Sequence, residues 1–265
     1  MNTDHEFLLS EKNLSFFKKT ANDYCGIDLS DYKKDFLYNR LVRRLRMLHM
    51  TDFDQYCTAI KNDSEEEKKF INLITNTSTS FFREEHHFEY LAQTLLPELI
   101  SKKNKIRIWS AGCATGEEAY SIAMVIREVI PNLSQYDIKI LATDINSESL
   151  DIAYKGIYDS VHIKKLTAAR QKMWFHQDRV DDKLKELITF RQLNLIHPFL
   201  LKGPFDVIFC RNVTIYFKKE VTCDILKKFN NLLPHSGILI LGFSENLYDL
   251  KEDYNILGHT IFKKI

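Results

Sequence analysis

Cysteine, glycine and proline are all scarce in this chain, no apolar stretch is long, and neither sign of charge dominates. Five of the 265 residues are cysteines, Cys25, Cys57, Cys113, Cys210 and Cys223, scattered and never spaced C-x-x-C. That argues against a disulfide framework or a zinc site and favours a reducing cytoplasm. Eight glycines and five prolines leave no low-complexity linker. No apolar run approaches the ~20 residues of a membrane span. The first residues, Met1-Asn2-Thr3-Asp4-His5-Glu6, have neither a basic nor an apolar leader character. A cytoplasmic location without membrane insertion is therefore expected. The formal net charge is +1, so bulk charge points neither to nucleic acid nor to a membrane surface. No internal repeat is visible. The composition that remains, 45% hydrophobic and 28% charged, suits a soluble globular protein with a sizeable core in roughly one to two domains.

The chain changes character near residue 100. Before it, apolar residues recur at helical spacing. One helix is predicted over about residues 10–24, with Leu14, Phe16, Phe17 and Tyr24 apolar. A second starts after Ser30-Asp31, an N-cap signal, and carries Leu37, Leu41, Leu45 and Leu48 on one face. Lys33, Arg40, Arg43, Arg44 and Arg46 crowd the remainder of it. Asp52-Phe53-Asp54-Gln55-Tyr56 opens a third helix, and Glu65 to Ile74 forms a fourth. After residue 100, short apolar strands at 106–110, 137–142, 205–210 and 237–242 alternate with helices at 117–130, 147–154 and 218–233, and a last strand lies near 259–263. This is the pattern of a parallel sheet covered on both faces. Residues 157–193 break the rhythm and read as a small inserted β-subdomain. The expected architecture is α/β with a Rossmann-like sheet over residues 81–265, preceded by an all-helical N-terminal domain over residues 1–80.

The first strand runs into Gly112-Cys113-Ala114-Thr115-Gly116, and Glu117-Glu118 then open a helix. Strand, glycine turn and helix begin a mononucleotide-binding unit. A dinucleotide fingerprint wants G-x-G-x-x-G, yet the glycine needed for close approach to a pyrophosphate is Ala114. Two carboxylates at the helix N-terminus suit its dipole but would repel a pyrophosphate. A cationic or zwitterionic nucleoside such as S-adenosylmethionine fits better. Asp144, at the end of the second strand, offers a carboxylate for both ribose hydroxyls. A nicotinamide-dependent oxidoreductase would use the same fold but lacks its glycine. A nucleic-acid methyltransferase would want Asn/Asp-Pro-Pro-Tyr after the 205–210 strand, where Cys210-Arg211-Asn212 stands. A non-catalytic cofactor-binding module, or a methyltransferase acting on another protein or signalling target, also remains open.

Five blocks in order give the chain a specific resemblance. They are Thr79-Ser80-Phe81-Phe82-Arg83, the stretch from Trp109 to Ser121, Ala142-Thr143-Asp144-Ile145, the stretch from Phe205 to Phe217, and that from Leu241 to Leu247. With Gly26-Ile27-Asp28-Leu29, Tyr32-Lys33 and the Arg40 to Arg46 run, the chain resembles the chemotaxis receptor methyltransferases, the CheR family, over about residues 14–250. The resemblance implies a class I methyltransferase sheet. It also implies an enzyme that moves a methyl group from S-adenosylmethionine to glutamate carboxylates of chemoreceptors, leaving S-adenosylhomocysteine. Carried over residue by residue, Thr79, Arg83, Glu118, Asp144, Asn194, Leu195, Arg211 and Asn212 fall on cofactor-contacting positions, and Thr77, with Gly112 of the glycine turn, is an expected cofactor contact beside them. The family often has an asparagine where this chain has Thr77, and Asn76 is adjacent. Arg83 and Tyr216 fall beside the methyl-transfer site, and no metal ligand set is implied.

The chemistry agrees with such a site. Glutamate, with a reference pKa of ~4.3, is already an anionic nucleophile at pH 7. An in-line displacement of a sulfonium by a carboxylate needs no general base, and a dry cleft favours it because charge is annihilated. Positioning supplies the rest, up to ~7–11 kcal/mol. Arg83 is expected to orient the incoming carboxylate, and Tyr216 to hydrogen-bond it or to line the methyl path.

Arg40, Arg43 and Arg44 share one helix face at i, i+3, i+4 spacing. Receptor methylation regions are glutamate-rich helices, so this basic face is the expected substrate-docking element, and the cytoplasmic methylation helices of chemoreceptors are the expected partner. Acids outnumber bases over residues 1–100, which disfavours nucleic acid as a partner. Some family members grip a receptor C-terminal pentapeptide through a glycine-containing loop in the inserted segment. The corresponding Gln177-Asp178-Arg179-Val180-Asp181-Asp182 has no glycine, so no tether is expected. A monomer is expected.

Overall fold

The computed structural model describes residues 6–29, 34–198 and 200–265, without the side chains of Lys34 and Phe36. The Ser30-Asp31 cap, Tyr32 and Lys33 lie outside the described residues. The chain divides into two compact units. One reaches to Asn76 and takes in Tyr216–Lys218; the other comprises Thr77–Ile215 and Lys219–Ile265.

The first unit is helical. Ser10 caps α1 (Glu11–Cys25) by accepting the Asn13 N–H, and Gly26, at φ 75°, ends it in the left-handed region. Phe17, Ala21 and Cys25 follow at four-residue spacing and are buried. Helix α2 (Lys34–Met47) buries Leu37, Leu41 and Leu45 at the same spacing. Asp52 and Asp63 cap α3 (Phe53–Asn62) and α4 (Ser64–Ile74), and Glu65, Glu66 and Glu67 place negative charge on the first turn of α4. The helices meet on an aromatic core in which the Phe17 ring lies 5.5 Å from Phe70 and 6.1 Å from Phe53. Each such buried ring contributes roughly 1.5–3 kcal/mol. Tyr216–Lys218 completes the unit: the Asp28 N–H donates to the Tyr216 carbonyl at 2.8 Å, and Ile27 pairs with Phe217 as an antiparallel bridge.

The second unit starts with α5 (His86–Tyr90), which passes through a π-helical turn at Leu91–Leu95 into α6 (Leu96–Lys102). Alternation then begins with β1 (Lys105–Ala111), α7 (Glu117–Val129), β2 (Asp137–Asp144) and α8 (Ser147–Lys155). Short elements follow: α9 (Ser160–Ile163), α10 (Ala168–Trp174), a hairpin of β3 (Phe175–His176) with β4 (Arg179–Val180), and α11 (Asp182–Lys185). The chain closes with β5 (Ile188–Gln192), β6 (Val207–Cys210), α12 (Lys219–Leu232), β7 (Ile238–Leu241), β8 (Tyr254–Gly258) and β9 (Ile261–Lys264). Seven strands form one sheet in the order β5-β2-β1-β6-β7-β9-β8. The first five are parallel, and β9 runs antiparallel to both β7 and β8. Every residue of β6 and β7 is buried, as their unbroken apolar sequences require. The order reverses between β1 and β6, so the carboxyl ends of β1, β2 and β6 open a crevice at the switch point.

Two sequence expectations are corrected. The inserted segment does not extend to residue 193, because Ile188–Gln192 pairs in parallel with β2 from Ile140 to Asp144 and forms the edge of the main sheet. The buried strand β2 needs a ladder partner on its outer side, and only β3 and β4 form the separate hairpin. The sheet also carries β8, which was not anticipated: three of its five residues are exposed, so no apolar alternation marks it.

Candidate active site

The glycine turn sits on the end of β1, held from beneath by β2: the Gly112 and Cys113 N–H groups donate to the Thr143 carbonyl at 2.7 and 2.9 Å. Gly112 has φ 88°, and a β-carbon on it would collide with Val213, so only glycine fits. Asp144 closes the turn. One of its oxygens accepts the Ala114 N–H and the other the Asn146 N–H, each at 2.8 Å. Burial pushes this carboxyl above its usual range, against those backbone donors. Each oxygen retains acceptor capacity for a ligand hydroxyl. Leu193 donates its N–H to the Asp144 carbonyl at 3.0 Å, which brings Asn194 and the buried Leu195 beside the same strand end.

Behind the turn lies a buried charge network. Glu118 accepts from the Ser110 hydroxyl at 2.7 Å and from Arg211 at 3.1 Å. Burial raises its pKa, and Arg211 only partly offsets that. Arg211, with 2% of its side chain exposed, also faces Glu84 Oε2 at 3.3 Å and donates to the Arg83 carbonyl. Burial alone would raise the Glu84 carboxyl, but Arg211 and the Asn212 amide outweigh it and hold it below the ordinary range. Glu84, His86 and His87 bring ligand-capable atoms within 4.8 Å of one another. Arg211 already supplies a positive charge beside Glu84, which disfavours a cation there. His87 is buried and donates to the His259 carbonyl at 2.7 Å if the proton is on Nε2; burial and the nearby Arg211 lower its pKa to about 4.

The Arg83 turn is clamped on several sides. Phe82 and Glu84 both have positive φ, at 53° and 55°. The Phe82 N–H donates to Ser121 Oγ at 3.0 Å, and the Arg170 guanidinium stacks 3.8 Å from the Phe82 ring while Glu128 holds it. Arg83 itself is exposed and donates to the Ser78 carbonyl at 3.1 Å. Thr77 and Thr79, half-buried, lie on the loop that leads into this turn.

A model described as "CheR methyltransferase, SAM binding domain" matches residues 77–263, and one described as "CheR methyltransferase, all-alpha domain" matches residues 12–75. The chain belongs to the CheR methyltransferase family. It is 38% identical to the chemotaxis protein methyltransferase of Escherichia coli K12 over 96% of this chain and 91% of that one. It is also 38% identical to a probable chemotaxis protein methyltransferase of Rhizobium etli, over 90% and 94%. The Salmonella typhimurium chemotaxis protein methyltransferase is 39% identical over 89% and 84%. As a CheR methyltransferase the chain uses S-adenosylmethionine as its cofactor. The donor set fits: a half-buried carboxylate with free acceptor capacity suits ribose hydroxyls, and carboxylates at the start of α7 suit a ligand without phosphates.

Of the expected cofactor residues, Thr77, Thr79, Arg83, Gly112, Glu118, Asp144, Asn194, Leu195, Arg211 and Asn212 all belong to the sheet unit of this CheR methyltransferase. Tyr216 belongs to the helical unit, where its hydroxyl accepts from the Asn76 amide at 2.9 Å. The expected docking trio requires correction. Arg44 is buried against Glu66, its Nε 2.8 Å from Oε1, and Arg40 donates to the Thr75 carbonyl at 2.9 Å beyond the end of α4. Only Arg43 of the three is exposed. Helical spacing aligned the three arginines, but the neighbouring α4 takes two of them. Glu84 and Glu245, both engaged at the end of β6, had no assigned role: Glu84 is one of two adjacent acids just after the Thr79–Arg83 block, and Glu245 a lone acid inside the Leu241–Leu247 block.

Proposed function

We propose that the chain transfers a methyl group from S-adenosylmethionine to glutamate side-chain carboxylates of chemoreceptors, giving methyl esters. The observation that carries this reading is the Arg83 turn. Its backbone is fixed by Arg211 and Ser121, and its guanidinium is left exposed with donors for a carboxylate. Bound S-adenosylmethionine supplies an electrophilic methyl group on a sulfonium. Asp144 holds the ribose hydroxyls, with Thr77, Thr79, Gly112, Asn194, Leu195 and Asn212 as further contacts. Glu118 and Arg211 set the charge behind the turn. Arg83 orients the substrate carboxylate. The substrate oxygen is already anionic, so proton transfer plays no part. Arg43, exposed on α2, meets the acidic methylation helices. The β3–β4 turn, Gln177-Asp178, lacks glycine, which favours recognition without a pentapeptide tether.

The test is labelled methyl transfer to purified cytoplasmic receptor fragments, followed by mild base. Label released as methanol is expected; base-stable label refutes the carboxylate assignment. Asp144→Ala is expected to weaken S-adenosylhomocysteine binding about ten-fold by calorimetry, and unchanged affinity refutes its ribose role. Tight binding of an isolated receptor pentapeptide would refute the tether-free reading.

A further inference from the structure

We propose that Glu245, a residue outside the expected cofactor contacts, is a positioning residue that aims Asn212 at the cofactor. The inference rests on the reading of Asn212 as a cofactor contact.

Glu245 follows β7 and is only 6% exposed. Its carboxylate takes five donors from two chain segments. Oε2 accepts the Asn212 N–H at 2.8 Å and the Gly242 N–H at 2.6 Å. Oε1 accepts the Val213 N–H at 2.9 Å, the Thr214 N–H at 2.6 Å and the Thr214 hydroxyl at 2.7 Å. A carboxylate has about four lone-pair sites, so these donors saturate it and leave none for a ligand. Glu245 therefore acts through what it holds.

What it holds is the turn after β6. Asn212 sits at φ 59°, a left-handed conformation that persists only when its surroundings over-determine it. Three consecutive N–H groups, from Asn212 to Thr214, converge on one side chain, and that convergence fixes the turn. The packing has no slack. A β-carbon on Gly242 would lie 2.7 Å from Glu245 Oε2 and 2.8 Å from the Asn212 nitrogen. The same turn presses Val213 onto Gly112 and leaves the Asn212 amide 3.3 Å from Glu84. One carboxylate thus sets both Asn212 and the roof of the glycine turn. Only an acceptor with two oxygens does this. Glutamine keeps the shape but points an amino group at N–H donors.

The experiment is a double-mutant cycle on the full chain, read by calorimetry with S-adenosylhomocysteine and by the KM for S-adenosylmethionine. Glu245→Gln is expected to lower affinity about ten-fold or more while the chain still melts cooperatively. Thr214→Val removes a single donor and is expected to lower affinity roughly two- to five-fold, which keeps the test open if Glu245→Gln fails to fold. The decisive readout is coupling: adding Glu245→Gln to Asn212→Ala is expected to cost far less than it does alone, because both act at one contact. Additive losses, or wild-type affinity in both Glu245→Gln and Thr214→Val, overturn the inference while Asn212→Ala still weakens binding. If Asn212→Ala alone changes nothing, the cofactor role of Asn212 falls, and the inference with it.

Discussion

In the helical unit Arg44 lies against Glu66 with 11% and 7% of the two side chains exposed, and Arg40 is turned towards the end of α4. In the sheet unit Arg211 is buried more deeply still, with 2% of its side chain exposed, but its partners include the carbonyl of Arg83, whose own guanidinium faces solvent. The same residue type therefore does two jobs. Arg40 and Arg44 join helices to one another, and the charge stops there. Arg211 supports a second, exposed arginine on a turn with two positive-φ residues. What distinguishes the two cases is that the residue Arg211 holds is itself exposed and charged.

Several substitutions would break or sharpen that contrast. The largest effect is expected for Arg44→Ala, which strands the Glu66 carboxylate and should cost roughly 3–5 kcal/mol in urea denaturation. Replacing both partners together, Arg44→Met with Glu66→Leu, should recover most of it. A small loss for the single change would mean that Arg44 is not the anchor its burial indicates.

His87 tests the buried charge of the sheet unit through pH. Its folded pKa, about 4, lies below the ordinary histidine value of 6.5, so the unfolded chain binds the proton more readily. Stability is therefore full above pH 6.5 and falls as pH drops towards 4, by up to roughly 3 kcal/mol at ~1.4 kcal/mol per unit. His87→Gln should flatten that slope in chemical denaturation between pH 4 and 6.5. An unchanged slope would remove His87 as its source.

Arg83→Ala is expected to lower receptor methylation about a hundred-fold with the fold intact, because it removes orientation of the carboxylate. Arg83→Lys should recover only part, since an ammonium lacks the planar fork. Wild-type rates in Arg83→Ala would reduce the clamped turn to a structural feature. The smallest effect belongs to Arg43→Glu: a few-fold slower receptor methylation at moderate salt, with cofactor affinity and stability unchanged. Equal loss of cofactor binding would sink a docking role for α2.

The sequence carried the β/α alternation because buried parallel strands must be apolar throughout, and it located Asp144 because a strand end after such a run is unambiguous. The first helix was placed only by its period, over about residues 10–24, and the Ser10 cap went unread. It missed β8 and misassigned β5 for one reason: edge strands with exposed faces, such as Ile188–Gln192, lose the pattern that burial imposes. Among site residues, charge and position were legible, but partnership was not. Nothing local to Arg44 announces Glu66, 22 positions away. Nothing local to Glu245 announces the three backbone N–H groups it gathers from 31 to 33 positions before it.

The three residues Tyr216–Lys218, which the chain lends to the helical unit before returning at Lys219, bear on inheritance. A single recombination breakpoint at residue 76 would separate Ile27 and Asp28 from the strand-like segment that pairs with them. Two genes of this kind that exchanged only their N-terminal thirds would produce hybrids with a mismatched clasp. A chimera that keeps these pairings must carry Tyr216–Lys218 along with the helices.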